Sequence, residues 1–159
     1  MSTRDIILVR HAPAQHAAPG QGDAARALTS AGEAAAAAAG AWLREHGAAP
    51  AYILTSAAQR ARATGECLAQ ALACTDLRED ARIYDATPAT LLRVLDENAQ
   101  APCLLLVGHN PGFETLVALL SSGVSDGGRG MPPGAVAWLT LPQGEIEPGA
   151  ATVRHFWWP

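Results

Sequence analysis

The chain has 159 residues, enough to bury a real core in a single domain over 1–159, and a formal net charge of −4. That charge excludes a general nucleic-acid binder, which needs a basic surface, so any anion site must be a local cluster of positive side chains. Hydrophobic residues reach 49% with only 5% aromatic, alanine making up much of the difference, which favours helices packed closely on something flat.

Cys67, Cys74 and Cys103 are odd in number and form no CxxC, so no disulfide framework is expected and a reducing compartment, the cytoplasm, fits. Cys103 opens an apolar run and reads as a small buried hydrophobe rather than a nucleophile. No run reaches membrane-helix length, and the first apolar stretch is too short for a signal peptide.

In chain order, residues 5–10 (DIILVR) form an apolar, β-branched run that predicts a buried strand. A polar loop over 11–23 follows. Thr29 or Ser30 caps the first helix, Glu33 stands where a capping box would have it, and Gly47 supplies the stop. The alanine run 34–39 reads as a tight-packing helix. Residues 51–55 predict a second strand and 57–73 a second long helix. Residues 82–84 fall in a short third strand or extended segment. Thr87 and Pro88 introduce a helix over 90–98. Residues 103–107 (CLLLV), the most hydrophobic strand, belong at the sheet centre. A tight turn over 108–112 leads into a helix ending near Leu120. A glycine-rich loop covers 121–134, and 135–141 and 151–157 predict two closing strands. Strands alternating with helices, and apolar throughout, predict an α/β fold with a mostly parallel central sheet and helices on both faces.

In such sheets the site lies at the carboxyl ends of the strands. Three segments stand there: Arg10-His11, residues 55–62 (TSAAQRAR), and Gly108-His109-Asn110. Two histidines and two or three arginines converge on one edge, with no carboxylate immediately adjacent in these segments. Arginine is permanently charged and its fork matches phosphate oxygens, and helix N-termini add backbone donors. A neutral imidazole can attack phosphorus, while a second, protonated one can hold the equatorial oxygens of the transition state. Together these residues describe a phosphoryl-binding pocket with a histidine nucleophile. Singly, each has a plainer reading: an Arg-His pair is common, His109 is an ordinary turn residue, and Arg62 is a solvent-facing helix charge. A histidine metal site is disfavoured, because arginines repel a cation and no carboxylate ligand lies close in sequence, so neither metal nor cofactor is expected. His16, His46 and His155 lack such a setting and read as surface or structural.

Four segments resemble the histidine phosphatase superfamily, also called the phosphoglycerate mutase-like family. LVRHA (8–12) is similar to its RHG signature, ALTSAGEAAA (27–36) to its LTxxGxxQA segment, TSAAQRARAT (55–64) to its SpxxRaxqT segment, and VGHNPG (107–112) to its second-histidine turn. The short length and the GHNPG wording are similar to the SixA-like phosphohistidine phosphatases. The resemblance implies a three-layer α/β/α fold and His11 as the nucleophile that forms a phosphohistidine intermediate. It further implies that Arg10, Arg60 and His109 complete the phosphate pocket, with Asn110 beside them as a substrate-binding residue. Arg60 rather than Arg62 matches, four residues after Ser56. Ala12 for the usual glycine and Ala57 for the usual proline remove no functional group.

Larger members of the superfamily use a carboxylate after the third strand to protonate the leaving alkoxide. Glu79, Asp80 and Asp85 are the candidates here, none in the usual sequence setting. Asp85 stands nearest the expected strand end and otherwise reads as a loop or cap aspartate. An alkoxide needs a positioned acid, whereas phosphohistidine releases an imidazole of unperturbed pKa about 6.5, which solvent can protonate beforehand. The SixA-like branch, by its resemblance, also lacks the standard acid. The expected activity is therefore hydrolysis of a phosphoryl group through His11. The expected substrate is a phosphate-bearing, histidine-phosphorylated protein, with neither nucleic acid nor membrane as partner. A small phosphoester or phosphoanhydride, or a non-catalytic phosphate-binding module, are the alternatives. Phe156-Trp157-Trp158 reads as core packing of the last strand or as a partner surface. Arg129 belongs to a loop that covers the sheet edge or reaches a substrate.

Overall fold

The computed structural model describes residues 2–126 and 128–159. Among these, six strands form one sheet in the order β3-β2-β4-β1-β5-β6. They are β1 (Thr3–Arg10), β2 (Tyr52–Thr55), β3 (Leu77–Glu79), β4 (Cys103–Gly108), β5 (Val136–Pro142) and β6 (Thr152–Trp157). Strands β1 to β4 run parallel, and β5 pairs antiparallel with both β1 and β6. The sheet is mixed but mostly parallel, as expected, and β4 lies inside it.

Helices α1 (Ser30–Glu45) and α2 (Gln59–Ala71) cover one face, and α3 (Pro88–Glu97) and α4 (Gly112–Ser122) the other. The strand pleat makes this split. Ile6 and Leu8 pack with Leu104 and Leu106 toward α3 and α4, while Ile7 and Val9 pack with Leu105 and Val107 toward α1 and α2. Burial on both faces is why these strands are unbroken apolar runs.

Thr29 caps α1, its side chain accepting from the Gly32 amide at 2.9 Å. Glu33 is then one residue too far along for a capping box, and its amide donates to the Thr29 carbonyl instead. Gly47 follows the end of α1 with φ +75°, where glycine carries no Cβ penalty. Thr87 caps α3 ahead of Pro88.

The third strand departs from expectation. It lies at Leu77–Glu79, and Ala81–Ile83 form a 3-10 turn. An edge strand exposed along its whole length needs no apolar run, and the one buried side chain nearby, Ile83, enters the core from the turn. The terminal aromatics divide: Phe156 packs partly buried toward α3 and α4, Trp157 toward α1 and α2, and Trp158 is exposed. Cys103 is partly buried at the start of β4, where burial pushes its thiol up to about 11. No helix among the described residues is long and apolar enough to cross a membrane.

The small residues bring the helices close. A Cβ on Gly40 of α1 would stand 2.7 Å from the Ala71 Cβ of α2, and one on Gly65 of α2 would collide with Thr55 Cγ2 of β2. Gly65→Ala should therefore push α2 off the sheet and cost about 1–3 kcal/mol, read as a lower urea midpoint with an unchanged slope.

Candidate active site

Strand register assembles the site. Arg10 pairs with Gly108 across β1 and β4, and Thr55 with Val107 across β2 and β4. The residues just beyond, His11, His109 and Ser56, therefore share one carboxyl edge. The His11 amide donates to the Gly108 carbonyl at 3.0 Å and the Ser56 amide to the Val107 carbonyl at 3.1 Å, which extends the ladder to the site. The two imidazole rings stand 5.2 Å apart, tilted by 54°. Arg60, in the first turn of α2, reaches the same edge with its Nη2 3.4 Å from His109 Nδ1. Arg10 donates from Nη1 to the Met131 carbonyl at 3.0 Å. The Nε atoms of Arg10 and Arg60 are buried without a partner among the described residues.

His11 is buried, with Nδ1 2.8 Å from the Ala12 carbonyl. A carbonyl only accepts, so Nδ1 carries the proton and Nε2 keeps its lone pair. Burial pushes the His11 pKa down to about 4; the Ala12 carbonyl opposes this and Arg60 and Arg10 reinforce it. The ring is therefore neutral near pH 7. Ala12 fits without disturbance: it is fully buried and its amide donates to Thr64 Oγ1 at 3.1 Å.

His109 lies with Nε2 2.7 Å from Ser56 Oγ, and that hydroxyl oxygen accepts from the Ala58 amide. A guanidinium only donates, so the Nδ1 facing Arg60 is the acceptor and Nε2–H donates to Ser56. Burial, then His11 and Arg60, push the His109 pKa down to about 3. The second imidazole is thus neutral here, because burial and positive neighbours both disfavour a second cation.

A carboxylate from outside the three segments also reaches this pocket. Arg60 donates from Nη1 to the Asp23 carbonyl at 2.8 Å and from Nη2 to Asp23 Oδ2 at 3.0 Å. Arg26 Nε lies 3.2 Å from Asp23 Oδ1, and Arg26 is close enough to help lower the His11 pKa. The Tyr84 hydroxyl donates to Asp23 Oδ2, and its ring meets His109 edge-on at 5.4 Å. Asp23 opens the short 3-10 turn Asp23–Ala25, Arg26 ends it, and Tyr84 ends the turn Ala81–Ile83; none of the three belongs to a quoted motif, and turns this short carry no periodicity that announces them.

Other expected residues are distributed as follows. Asn110 stands beside the pocket, but its amide is committed to the scaffold. Nδ2 donates to the Met131 carbonyl at 2.8 Å and to Glu114 Oε2 at 3.3 Å, and Oδ1 accepts from the Glu114 amide. Arg62 pairs with Glu79 at the surface, and Asp80 with Arg82. Asp85, at φ +51°, lines a cavity of about 350 Å³ with Thr87, His109, Asn110 and Thr115. His16 is exposed, while His46 and His155 pack around Trp42. The Arg129 guanidinium lies over the Phe156 ring at 4.8 Å. Among the described residues no three His, Cys, Asp or Glu side chains gather to hold a metal ion.

The depressed histidines couple stability to pH. An unfolded chain takes up both protons near pH 6.5, and the folded protein only near 4 and 3, so the unfolded state binds more protons in between. This contribution is full above about pH 6.5 and is lost as pH falls toward 4 for His11 and toward 3 for His109. Urea midpoints should decline over that range, and His109→Gln should make the decline shallower.

The sequence profile described as the histidine phosphatase superfamily (branch 1) matches residues 6–87. No functionally curated protein matches the chain. Among solved structures it is similar to a provisionally named phosphohistidine phosphatase SixA from Agrobacterium tumefaciens, with 29% identity, TM-score 0.85, and coverage of 100% of this chain and 99% of that one. A second such protein, from Nakamurella multipartitia, gives 27% identity and TM-score 0.85 over 100% and 98% of the two chains. The protein histidine phosphatase SixA complexed with tungstate shares the fold at 22% identity and TM-score 0.80, over 98% and 97%. The profile spans more than half of the chain and includes His11 and Arg60; the chain belongs to the histidine phosphatase superfamily and is a histidine-dependent phosphatase.

Proposed function

We propose that the chain hydrolyses phosphohistidine on a protein by way of a phosphoryl group carried on His11. The observation that carries this reading is the pairing of a neutral, buried His11, whose Nε2 keeps its lone pair, with buried Nε donors on Arg10 and Arg60 that have no partner among the described residues. Buried donors without acceptors are costly, and phosphoryl oxygens are the acceptors that satisfy them.

In this reading the phosphoryl group lies between the two rings. His11 Nε2 attacks phosphorus as the bond to the leaving imidazole nitrogen breaks. The leaving ring carries its proton, drawn from solvent, on its other nitrogen. Water then attacks phospho-His11, releasing orthophosphate and restoring the imidazole. The phosphate dianion supplies the negative charge that favours protonated His109, whose Nδ1 then donates to an oxygen while Nε2 stays on Ser56. Arg10 and Arg60 hold the oxygens where charge develops.

The substrate class rests on acid provision. Glu79 and Asp80 are taken by arginines, Asp23 is held below the usual carboxylate range by Tyr84 and Arg60, and Asp85 borders the cavity beside His109. A site so sparsely supplied suits a leaving imidazole better than an alkoxide. The likeness to SixA structures supports the same substrate. The second reading, a phosphoester substrate with Asp85 as proton donor, is favoured by that residue's position on the cavity wall. Free thiols at Cys67, Cys74 and Cys103 support a cytoplasmic setting.

Rapid quench of the enzyme with a labelled phosphohistidine peptide should give a base-stable, acid-labile label on His11, absent in His11→Ala; a label elsewhere overturns the mechanism. Arg60→Gln should lower kcat/KM about 100- to 1,000-fold. Asp85→Asn should leave phosphohistidine turnover within about twofold; a large loss there favours the phosphoester reading.

A further inference from the structure

Arg60 has two usable hydrogen-bonding edges, and they face different ways. Its end-on edge, Nη1 and Nη2, is held by the Asp23 carbonyl at 2.8 Å and Oδ2 at 3.0 Å. Its side edge is formed by Nε, buried and without a partner among the described residues, and by Nη2, which lies 3.4 Å from His109 Nδ1. A planar guanidinium offers bidentate donors on either edge, so the engaged end leaves the side edge turned to the histidines.

We propose that Asp23 is a positioning residue for this phosphatase: it clamps the end of the Arg60 guanidinium so that the Nε–Nη2 edge delivers two parallel donors to the phosphoryl group. The inference rests on the phosphate-pocket reading and names what sets the pocket's geometry. Asp23 does not touch the phosphoryl group itself.

Three features favour a clamp over a competing anion. First, the contact is double and uses one backbone and one side-chain oxygen of the same residue, which fixes the guanidinium plane as well as its distance. Second, the clamp is anchored from outside the pocket. The Tyr84 hydroxyl donates to the same Oδ2, and Arg26 Nε stands 3.2 Å from Oδ1. Tyr84 first, then Arg60 and Arg26, hold the Asp23 carboxyl below the usual carboxylate range, so it stays ionised near neutral pH. Third, the Asp23 side chain is 53% exposed while that of Arg60 is 6% exposed. Solvent screens such a carboxylate, so its effect on the pocket comes from geometry more than from cancelled charge. Tyr84 also abuts the His109 ring, so Asp23 ties the loop after β1 to both halves of the site.

The test is orthophosphate binding to the full chain by calorimetry, with kcat and KM on a phosphohistidine peptide. Asp23→Ala should weaken orthophosphate binding about tenfold and raise KM alongside it. Tyr84→Phe, which removes only a hydroxyl from the surface, should weaken binding in the same direction by about two- to threefold. In an Arg60→Lys background, which cannot present a side edge, Asp23→Ala should have no further effect. The inference is overturned if Asp23→Ala binds orthophosphate as tightly as or more tightly than the parent, as a competing carboxylate would require. It is also overturned if the Asp23 and Arg60 effects simply add. A parent chain that binds no orthophosphate would instead remove the phosphate pocket itself, and the clamp with it.

Discussion

Everything at the candidate site hangs on the hydrogen-bond register of β1, β4 and β2. A slip of one residue in any of these strands would turn its apolar set from one helix layer to the other. Ile7 is therefore held beside Leu105, and Leu105 beside Ile53, by the need to bury all three toward α1 and α2. That same register stops β1 at Arg10 and β4 at Gly108, and so leaves His11 and His109 as neighbours at the edge. Core burial, which knows nothing of phosphate, fixes the separation of the two imidazoles.

The site works against that core in its charge. It buries two imidazoles and, on two arginines, Nε atoms without a partner among the described residues, an arrangement that folding alone does not favour. The protein limits the cost by keeping both rings neutral, by setting each on a fixed partner, and by giving Arg60 a carboxylate at its outer end. In the proposed mechanism each device also prepares the chemistry. The Ala12 carbonyl fixes the proton on His11 Nδ1 and frees Nε2, while Ser56 turns His109 Nδ1 toward Arg60.

Much of this was legible in the sequence because it depends on local pattern. Apolar runs ending in Arg-His, Thr-Ser and Gly-His marked the strands and their carboxyl ends, and Thr29, Gly47, Thr87 and Pro88 marked helix boundaries. The edge strand β3 was not legible, since an exposed strand carries no apolar signature. Nor was the scaffold duty of Asn110, because its partners Met131 and Glu114 are chosen by how the glycine-rich loop folds back on α4.

The sequence by itself determined the α/β layering, the histidine pair and the arginines, because strand burial and motif spacing are properties of neighbouring residues. Only the tertiary structure decided the protonation state of the rings and the company of Arg60. Burial of an imidazole depends on what closes over it, and Asp23, thirty-seven residues from Arg60, meets it only once the loop after β1 has crossed to the start of α2. Charge at a site is summed over space, and a sequence orders residues only along the chain.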